Sequence, residues 1–222
     1  MKDEYSDTYG KNAEYPARRY SYNLRLEKIK SHLGDCCDVL NIGCASCDYD
    51  IDLMKIGKRM VSLDLNHDYL MIARSKDADL ALMNADALHL PFSDETFDVV
   101  IVANSFRYFI DPAEPLKEIR RVLRNNGMLI LLDHNRHCPD SLLIKADVVR
   151  YYTVDELRSE LGKCGLEFSG SEFLLIPFFL TPIGLLRIVR RIGNLIAPTF
   201  LGEMLPEMLI DAKKGESRVS PE

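Results

Sequence analysis

Three places in the sequence end an apolar run on residues suited to hold a small polar ligand. Val39-Leu40-Asn41-Ile42-Gly43-Cys44-Ala45-Ser46-Cys47-Asp48 passes from a strand-like run into a glycine, small residues and then a helix. A glycine there lets backbone approach a ligand closely, and the helix N–H groups beyond it can face an anion or a polar group. Roughly 20 residues on, a second run ends in Leu63-Asp64-Leu65, where an acid can accept hydrogen bonds from ribose hydroxyls. A third run is followed by Asn84-Ala85-Asp86-Ala87, and a carboxylate at Asp86 can accept from the exocyclic amine of adenine. Taken singly, Gly43 is compatible with an ordinary tight turn, and Asp64 or Asp86 with a helix cap or a solvated loop acid. Three such strand ends in this order point to a nucleoside-containing ligand.

Those residues need a scaffold that alternates strand and helix. Strand-like runs fall at Val39–Ile42, Met60–Leu65, Leu80–Met83, Phe97–Ala103 and Met128–Leu132, with helical stretches at Ile51–Ile56, His67–Lys76 and Ala113–Leu123 between them. In the last helix Leu116, Ile119, Val122 and Leu123 share one face while Lys117, Glu118, Arg120 and Arg121 take the other. Asp111-Pro112 opens it, and Asn126-Gly127 is expected to close it with a left-handed glycine. Continuous apolar strands separated by helices signal a parallel sheet covered on both faces. Further on, Thr153-Val154-Asp155-Glu156 reads as a capping box for a helix reaching Cys164-Gly165. Leu166–Ile176 and Glu207–Ala212 read as two more strands. Near the N-terminus, residues 1 to 22 are polar and tyrosine-rich (Tyr5, Tyr9, Tyr15, Tyr20, Tyr22), and Leu24, Ile29 and Leu33 suggest a helix ending at Gly34.

Composition narrows the classes. The 222 residues can bury a full single-domain core, and 47% apolar with 28% charged residues is ordinary for a soluble globular chain. A formal charge of −6 argues against a broad nucleic-acid surface, which needs clustered Lys and Arg. Met1-Lys2-Asp3-Glu4-Tyr5 lacks the apolar run of an export signal, so the six cysteines are expected as reduced thiols in a cytoplasm.

From Val39 to Asp133 the sequence resembles the class I S-adenosylmethionine (AdoMet)-dependent methyltransferases, in their small-molecule branch. The resemblance is most specific at Asp86-Ala87-Leu88-His89-Leu90-Pro91-Phe92 with Phe97-Asp98-Val99-Val100, and extends weakly through Tyr151–Ile176 and Glu207–Lys213. It implies a Rossmann-like three-layer α/β sandwich, with a seven-stranded, mostly parallel sheet in the order 3-2-1-4-5-7-6. Residues 1–34 would form an N-terminal lid or helix, 35–213 the methyltransferase domain with an apolar lid insertion at 177–203, and 214–222 a disordered tail. By position, Asn41, Gly43, Cys44 and Ala45 would lie along the methionine portion of AdoMet. Asp64 with Leu65 would hold the ribose, Asp86 with Ala87 the adenine, and Asn104 would sit beside the cofactor facing the acceptor. The resemblance implies methyl transfer to a small molecule; the apolar segment at 182–198 would suit an apolar acceptor, and no metal or nucleic-acid partner is expected. Two rivals remain open: a non-catalytic AdoMet-binding protein, and a nicotinamide-dependent oxidoreductase, for which Gly-x-Gly-x-x-Gly would be needed.

Departures from the family pattern are concentrated in the first loop. Its acidic-x-Gly-x-Gly-x-Gly is here Asn41, Gly43, Ala45 and Cys47. Asn41 keeps hydrogen-bonding ability but loses the charge. If Ala45 is left-handed it costs about 1–2 kcal/mol relative to glycine; if its φ is negative the methyl is nearly free. The amine-directed Asn/Asp-Pro-Pro-Tyr signature is replaced by Asn104-Ser105-Phe106-Arg107. No catalytic residue is assigned. His134 or His137 could act as a general base or be exposed loop histidines, and Arg107 and Tyr108 could touch substrate or cap their loop. Cys36-Cys37 with Cys44-x-x-Cys47 admits a zinc reading, made awkward by the strand between the pairs. Phe173–Leu186 is nearly all apolar but too short to span a bilayer, and it runs into the apolar segment Pro182–Pro198. The latter reads as a packed lid over the acceptor or as a membrane-surface helix carrying Arg187, Arg190 and Arg191.

Overall fold

The computed structural model describes residues 16–35, 38–137, 150–175, 183–197 and 205–215. Tyr5, Tyr9, Tyr15, Cys36, Cys37, Cys138 and the tail beyond Gly215 lie outside the described residues. The elements, in chain order, are α1 (Pro16–Leu33), β1 (Asp38–Ile42), α2 (Asp48–Met54), β2 (Arg59–Asp64), α3 (His67–Lys76), β3 (Ala81–Asn84) and β4 (Phe97–Ala103). There follow a 3-10 turn (Phe106–Tyr108), α4 (Ala113–Val122), β5 (Leu123–His134), α5 (Val154–Lys163), β6 (Leu166–Leu174), α6 (Ile183–Ile196) and β7 (Glu207–Lys214).

One seven-stranded sheet runs β3-β2-β1-β4-β5-β7-β6, as the resemblance implied. The first five strands are parallel, and β7 enters antiparallel between β5 and β6. A nicotinamide-binding doubly wound sheet keeps its sixth strand parallel, so the reversed hairpin counts against that rival. Alternation along each strand builds two cores. Val39, Val99, Ile101, Ile130 and Leu132 cluster with Leu26, Ile29, Leu33 and Leu53 of α1 and α2. Leu40, Ile42, Val100, Val102, Leu129 and Leu131 cluster instead with Leu116, Ile119, Leu157 and Leu161 of α4 and α5. A smaller cluster joins Leu70 and Ala73 of α3 to Cys44, Cys47 and Leu80. Three layers result.

Some boundaries differ from the sequence reading, each for a physical reason. α1 begins at Pro16, within the polar tyrosine-rich stretch; proline suits a first helical turn because its missing N–H has no partner there anyway. Thr153 caps α5 as expected: its hydroxyl accepts from Glu156 N at 3.2 Å, and Glu156 Oε2 accepts from Thr153 N at 2.9 Å. Gly127, in contrast, does not end α4. The helix stops at Val122, β5 starts at once, and the left-handed residue is Asn126 with φ 61°. Phe97 pairs with Leu123 but Val99 pairs with Met128, so 124–127 bulge out opposite Asp98. Arg124 ties the bulge down, reaching Asp98 at 2.6 Å and Asp38 at 2.9 Å. β7 runs on to Lys214, assigned from the sequence to the tail; the residue is buried and its ammonium donates to Leu123 O at 2.8 Å.

Bulge geometry makes Gly127 a packing requirement. A Cβ there would lie 2.8 Å from Arg124 O and 3.1 Å from Asp98 O, both backbone atoms. Gly127→Ala is expected to lower the unfolding free energy by about 1–3 kcal/mol, the usual range for overpacking. Urea denaturation measures this, and unchanged stability would mean that the bulge shifts freely.

Candidate functional site

The carboxyl ends of β1, β2, β3 and β4 open onto a cavity of about 830 Å³, within the range of small-molecule sites. Its floor is the turn after β1. Gly43 has φ 70°, and a Cβ on it would come within 2.4 Å of Ser105 Cβ. Ser105 is held there because its hydroxyl donates to Ile42 O at 2.9 Å. Gly43 N and Cys44 N both donate to Leu63 O, at 2.7 and 3.0 Å, which pins the turn to β2. Ala45 and Cys47 are left-handed, with φ 46° and 57°. The costly alternative for Ala45 is therefore the one realised, and Cys47 shares it.

Asp64 closes this loop from the side. Its Oδ2 accepts from Ala45 N and its Oδ1 from Asn66 N, each at 2.8 Å. Burial raises its pKa, while those two N–H groups pull the other way. Asn84 Nδ2 donates to the carbonyls of Asp64 and Leu65, at 2.9 and 3.0 Å, joining the ends of β2 and β3. Asp86 Oδ1 accepts from Leu88 N at 3.0 Å. Leu65 and Leu88 line the same cavity while 71% and 39% exposed. Two carboxylates for hydroxyl and amine donors, with aliphatic side chains for a flat ring, are the requirements of a nucleoside.

Deeper in, the chemistry changes to buried amides. Among the described residues, the buried side-chain polar atoms without a hydrogen-bond partner are Asn41 Oδ1, Asn104 Oδ1 and Tyr152 Oη. Asn41 and Asn104 both line the cavity, so two acceptors are available there to a ligand's donors. Such atoms are rare in folded proteins unless something meets them. Asn41 Nδ2 donates to Asp50 Oδ2 at 2.7 Å. Asn104 is left-handed, with φ 58°, and its carbonyl accepts from Arg107 Nη2 at 2.9 Å. Arg107 is itself anchored to Asp133, through its backbone N–H and its guanidinium, both at 3.0 Å. Burial raises the Asp133 carboxyl, and Arg107 pulls it back.

All nine residues chosen from the sequence (Asn41, Gly43, Cys44, Ala45, Asp64, Leu65, Asp86, Ala87 and Asn104) line this one cavity. Sequence reasoning missed much of the opposite wall. Arg18, Ser21, Tyr22 and Arg25 of α1 line it, at the i, i+3, i+4, i+7 spacing of a single helix face. That polar spacing was the available signal. Tyr22 stacks on Tyr49 with ring centroids 5.1 Å apart, and its hydroxyl lies 2.7 Å from Asp52 Oδ2 and 2.8 Å from Asp48 O. Burial, then the hydrogen bond to Asp52, pushes its phenol far above the usual range. Tyr108, Phe109 and Ile110 complete an apolar mouth.

Other candidates lie elsewhere. His134 and His137 are not among the residues lining the cavity. His134 Nδ1 is 2.6 Å from Arg107 Nη1, and the ring stacks on Tyr151. Arg107 thus buttresses its loop, whereas Tyr108 does reach the cavity. Cys44 and Cys47 are buried thiols in the small cluster under α3. α6 packs beside α1, but none of its described residues lines the cavity, so the expected lid over the acceptor pocket is not seen among them.

Comparison with known proteins agrees with this geometry. The profile of a methyltransferase domain family matches residues 40–131. The chain is 33% identical over 131 residues to a demethylmenaquinone methyltransferase of Lactiplantibacillus plantarum, covering 55% of this chain and 54% of that protein. It is 34% identical over 120 residues to one of Thermus thermophilus, covering 52% and 53%. The chain thus spans about half the length of the curated relatives it matches. Among solved structures, a SAM-dependent methyltransferase of Thermotoga maritima superposes with a TM-score of 0.73 at 19% identity, covering 94% of this chain and 95% of that one. The 4+2 cyclase SpnF superposes at 0.62 with 18% identity, covering 82% and 77%; the fold by itself therefore does not fix the reaction. Sheet order and matched domain agree: residues 40–131 match a methyltransferase domain, and the fold is the one shared by S-adenosylmethionine-dependent methyltransferases of known structure.

Proposed function

We propose that this protein transfers a methyl group from AdoMet to a small, apolar acceptor of the quinone type. The observation that carries the reading is the convergence of the Gly43 turn, Asp64 and Asp86 on one cavity that also holds two unpartnered amide oxygens. Asp64 would hold the ribose and Asp86 the adenine amine, with Leu65 and Ala87 beside them. Gly43, Cys44 and Ala45 would supply backbone along the methionine portion, bounded by Asn41 and Asn104. The cofactor supplies a methyl group made reactive by the positive charge on its sulfur. The protein's remaining work is to orient the acceptor and exclude water. Tyr22, Tyr49, Phe109 and Ile110 offer apolar walls for that purpose. With its phenol held in the protonated form, Tyr22 serves as a wall and not as a base. The names of the curated relatives support a quinone-type acceptor.

The test is transfer of labelled methyl from AdoMet to a short-chain hydroquinone. Cofactor binding without transfer to any of a varied acceptor set would favour the non-catalytic reading. Asp64→Ala is expected to weaken AdoMet binding between about tenfold and a hundredfold, the worth of hydrogen bonds to a charged acceptor. Calorimetry on folded protein reads this, and unchanged affinity would remove Asp64 from the site.

Left-handed Ala45 yields a prediction of opposite sign. Ala45→Gly relieves about 1 kcal/mol of backbone strain, partly offset by the greater freedom of glycine in the unfolded chain. The variant is expected to bind AdoMet equally well or better, with equal or higher stability by thermal shift. Clear loss of affinity at unchanged stability would show that the loop has been rebuilt around the methyl group.

A second contact is favoured by α6, which exposes Leu185, Ile188, Ile192 and Leu195 at spacings that keep them on one side. The helix contains three arginines and no acid. We infer that this face rests on an anionic lipid surface, where a lipophilic acceptor would be found. Co-sedimentation with phosphatidylglycerol vesicles is expected for the parent and lost in Ile188→Ser/Ile192→Ser. Equal pelleting of both proteins would dismiss the contact.

A further inference from the structure

Asn41 stands where the family pattern has an acid, yet a carboxylate is present one hydrogen bond away. Asp50, from α2, is fully buried; its Oδ2 accepts from Asn41 Nδ2 at 2.7 Å and its Oδ1 from Ser62 Oγ at 2.6 Å. Burial pushes this carboxyl up to about 6, with the Ser62 and Asn41 hydrogen bonds opposing, and both of its oxygens accept, as those of an ionised carboxylate do. An ionised carboxylate only accepts hydrogen bonds, so it holds the NH2 end of the amide and rejects the oxygen end. Asn41 cannot turn end for end without setting oxygen against oxygen. Its Oδ1 is buried and unpartnered, and Asn41 lines the cavity while Asp50 does not.

We propose that Asp50 is a positioning residue that carries the negative charge of this corner and, through Asn41, presents a fixed acceptor to the ammonium group of the bound cofactor. The inference rests on the cofactor reading above. Asp64 and Asp86 serve the nucleoside on the β2 and β3 side. The unpartnered oxygens of Asn41 and Asn104 lie on the β1 and β4 side, where the amino-acid end remains to be met. The charge seemingly lost at position 41 has been moved back by one side chain. Ser62, on the neighbouring strand, holds the second carboxylate oxygen and keeps the plane of Asp50 fixed.

Two ligands separate this role from a structural one. S-Adenosylhomocysteine carries the ammonium group; 5′-methylthioadenosine has the same nucleoside and sulfur but no amino-acid end. Calorimetry at neutral pH is expected to show Asp50→Asn weakening S-adenosylhomocysteine about tenfold, as for loss of a charge-assisted hydrogen bond, with methylthioadenosine unchanged. The exchange Asn41→Asp/Asp50→Asn returns a carboxylate and a donor to this pair in reversed order, and is expected to recover S-adenosylhomocysteine binding. Equal weakening of both ligands, no weakening of either, or an exchange variant no better than Asp50→Asn would overturn the proposal. Should Asp50→Asn fail to fold, the exchange variant decides alone: parental discrimination between the two ligands supports the relay, and lost discrimination overturns it. A parent protein that binds neither ligand would instead remove the cofactor reading, and this inference with it.

Discussion

The turn after β1 has room at residue 43 for a hydrogen atom and nothing larger. Ser105, from the loop after β4, occupies the space a side chain would fill, and is locked there by its bond to Ile42 O. This close approach brings the two central parallel strands together at their carboxyl ends, where open α/β sheets bind ligands. Leu63 O, receiving two N–H groups from the same turn, adds β2 to the junction. Left-handed strain at Ala45 and Cys47 persists because the neighbouring strands over-determine the loop.

Polar groups at this end of the sheet are arranged in short chains, each ending at the cavity. Ser62 and Asp50 set Asn41; Asp133 and Arg107 set Asn104; Asn66 and Ala45 set Asp64. In a low-dielectric interior such chains rigidify what they hold, and an unmatched member is costly. A site built this way is shaped before its ligand arrives, so little ordering remains to oppose binding.

How much of this could be read from the residues depended on whether the signal was local. Strand ends at Gly43, Asp64 and Asp86 are announced by composition and spacing, and all lie where the alternation put them. Capping at Thr153 is equally local. Gly127 misled because Asn-Gly after an amphipathic helix resembles a helix stop, while the real constraint is close backbone contact with Arg124 O within the bulge and with Asp98 O on the neighbouring strand. Lys214 misled because a terminal lysine looks solvated, and only the closed sheet reveals Leu123 O as its partner. Asp50 gave no sign, since its importance arises from Asn41 and Ser62, brought together only when β1 and β2 pair.

One ion pair reaches further along the chain than its size suggests. Arg25 of α1 grips Glu207, the buried first residue of β7, with both arms of its guanidinium. The same helix face supplies a wall of the cavity through Arg18, Ser21, Tyr22 and Arg25. Helix α1 and strand β7 are therefore riveted together by partners 182 positions apart in the sequence. α1 already packs through Leu26, Ile29 and Leu33 against β1 and β4, and the Glu207 contact adds a tie from that helix to β7, which enters the sheet beside β5. One wall of the cavity is therefore tied, through a single carboxylate, to a strand none of whose described residues lines that cavity.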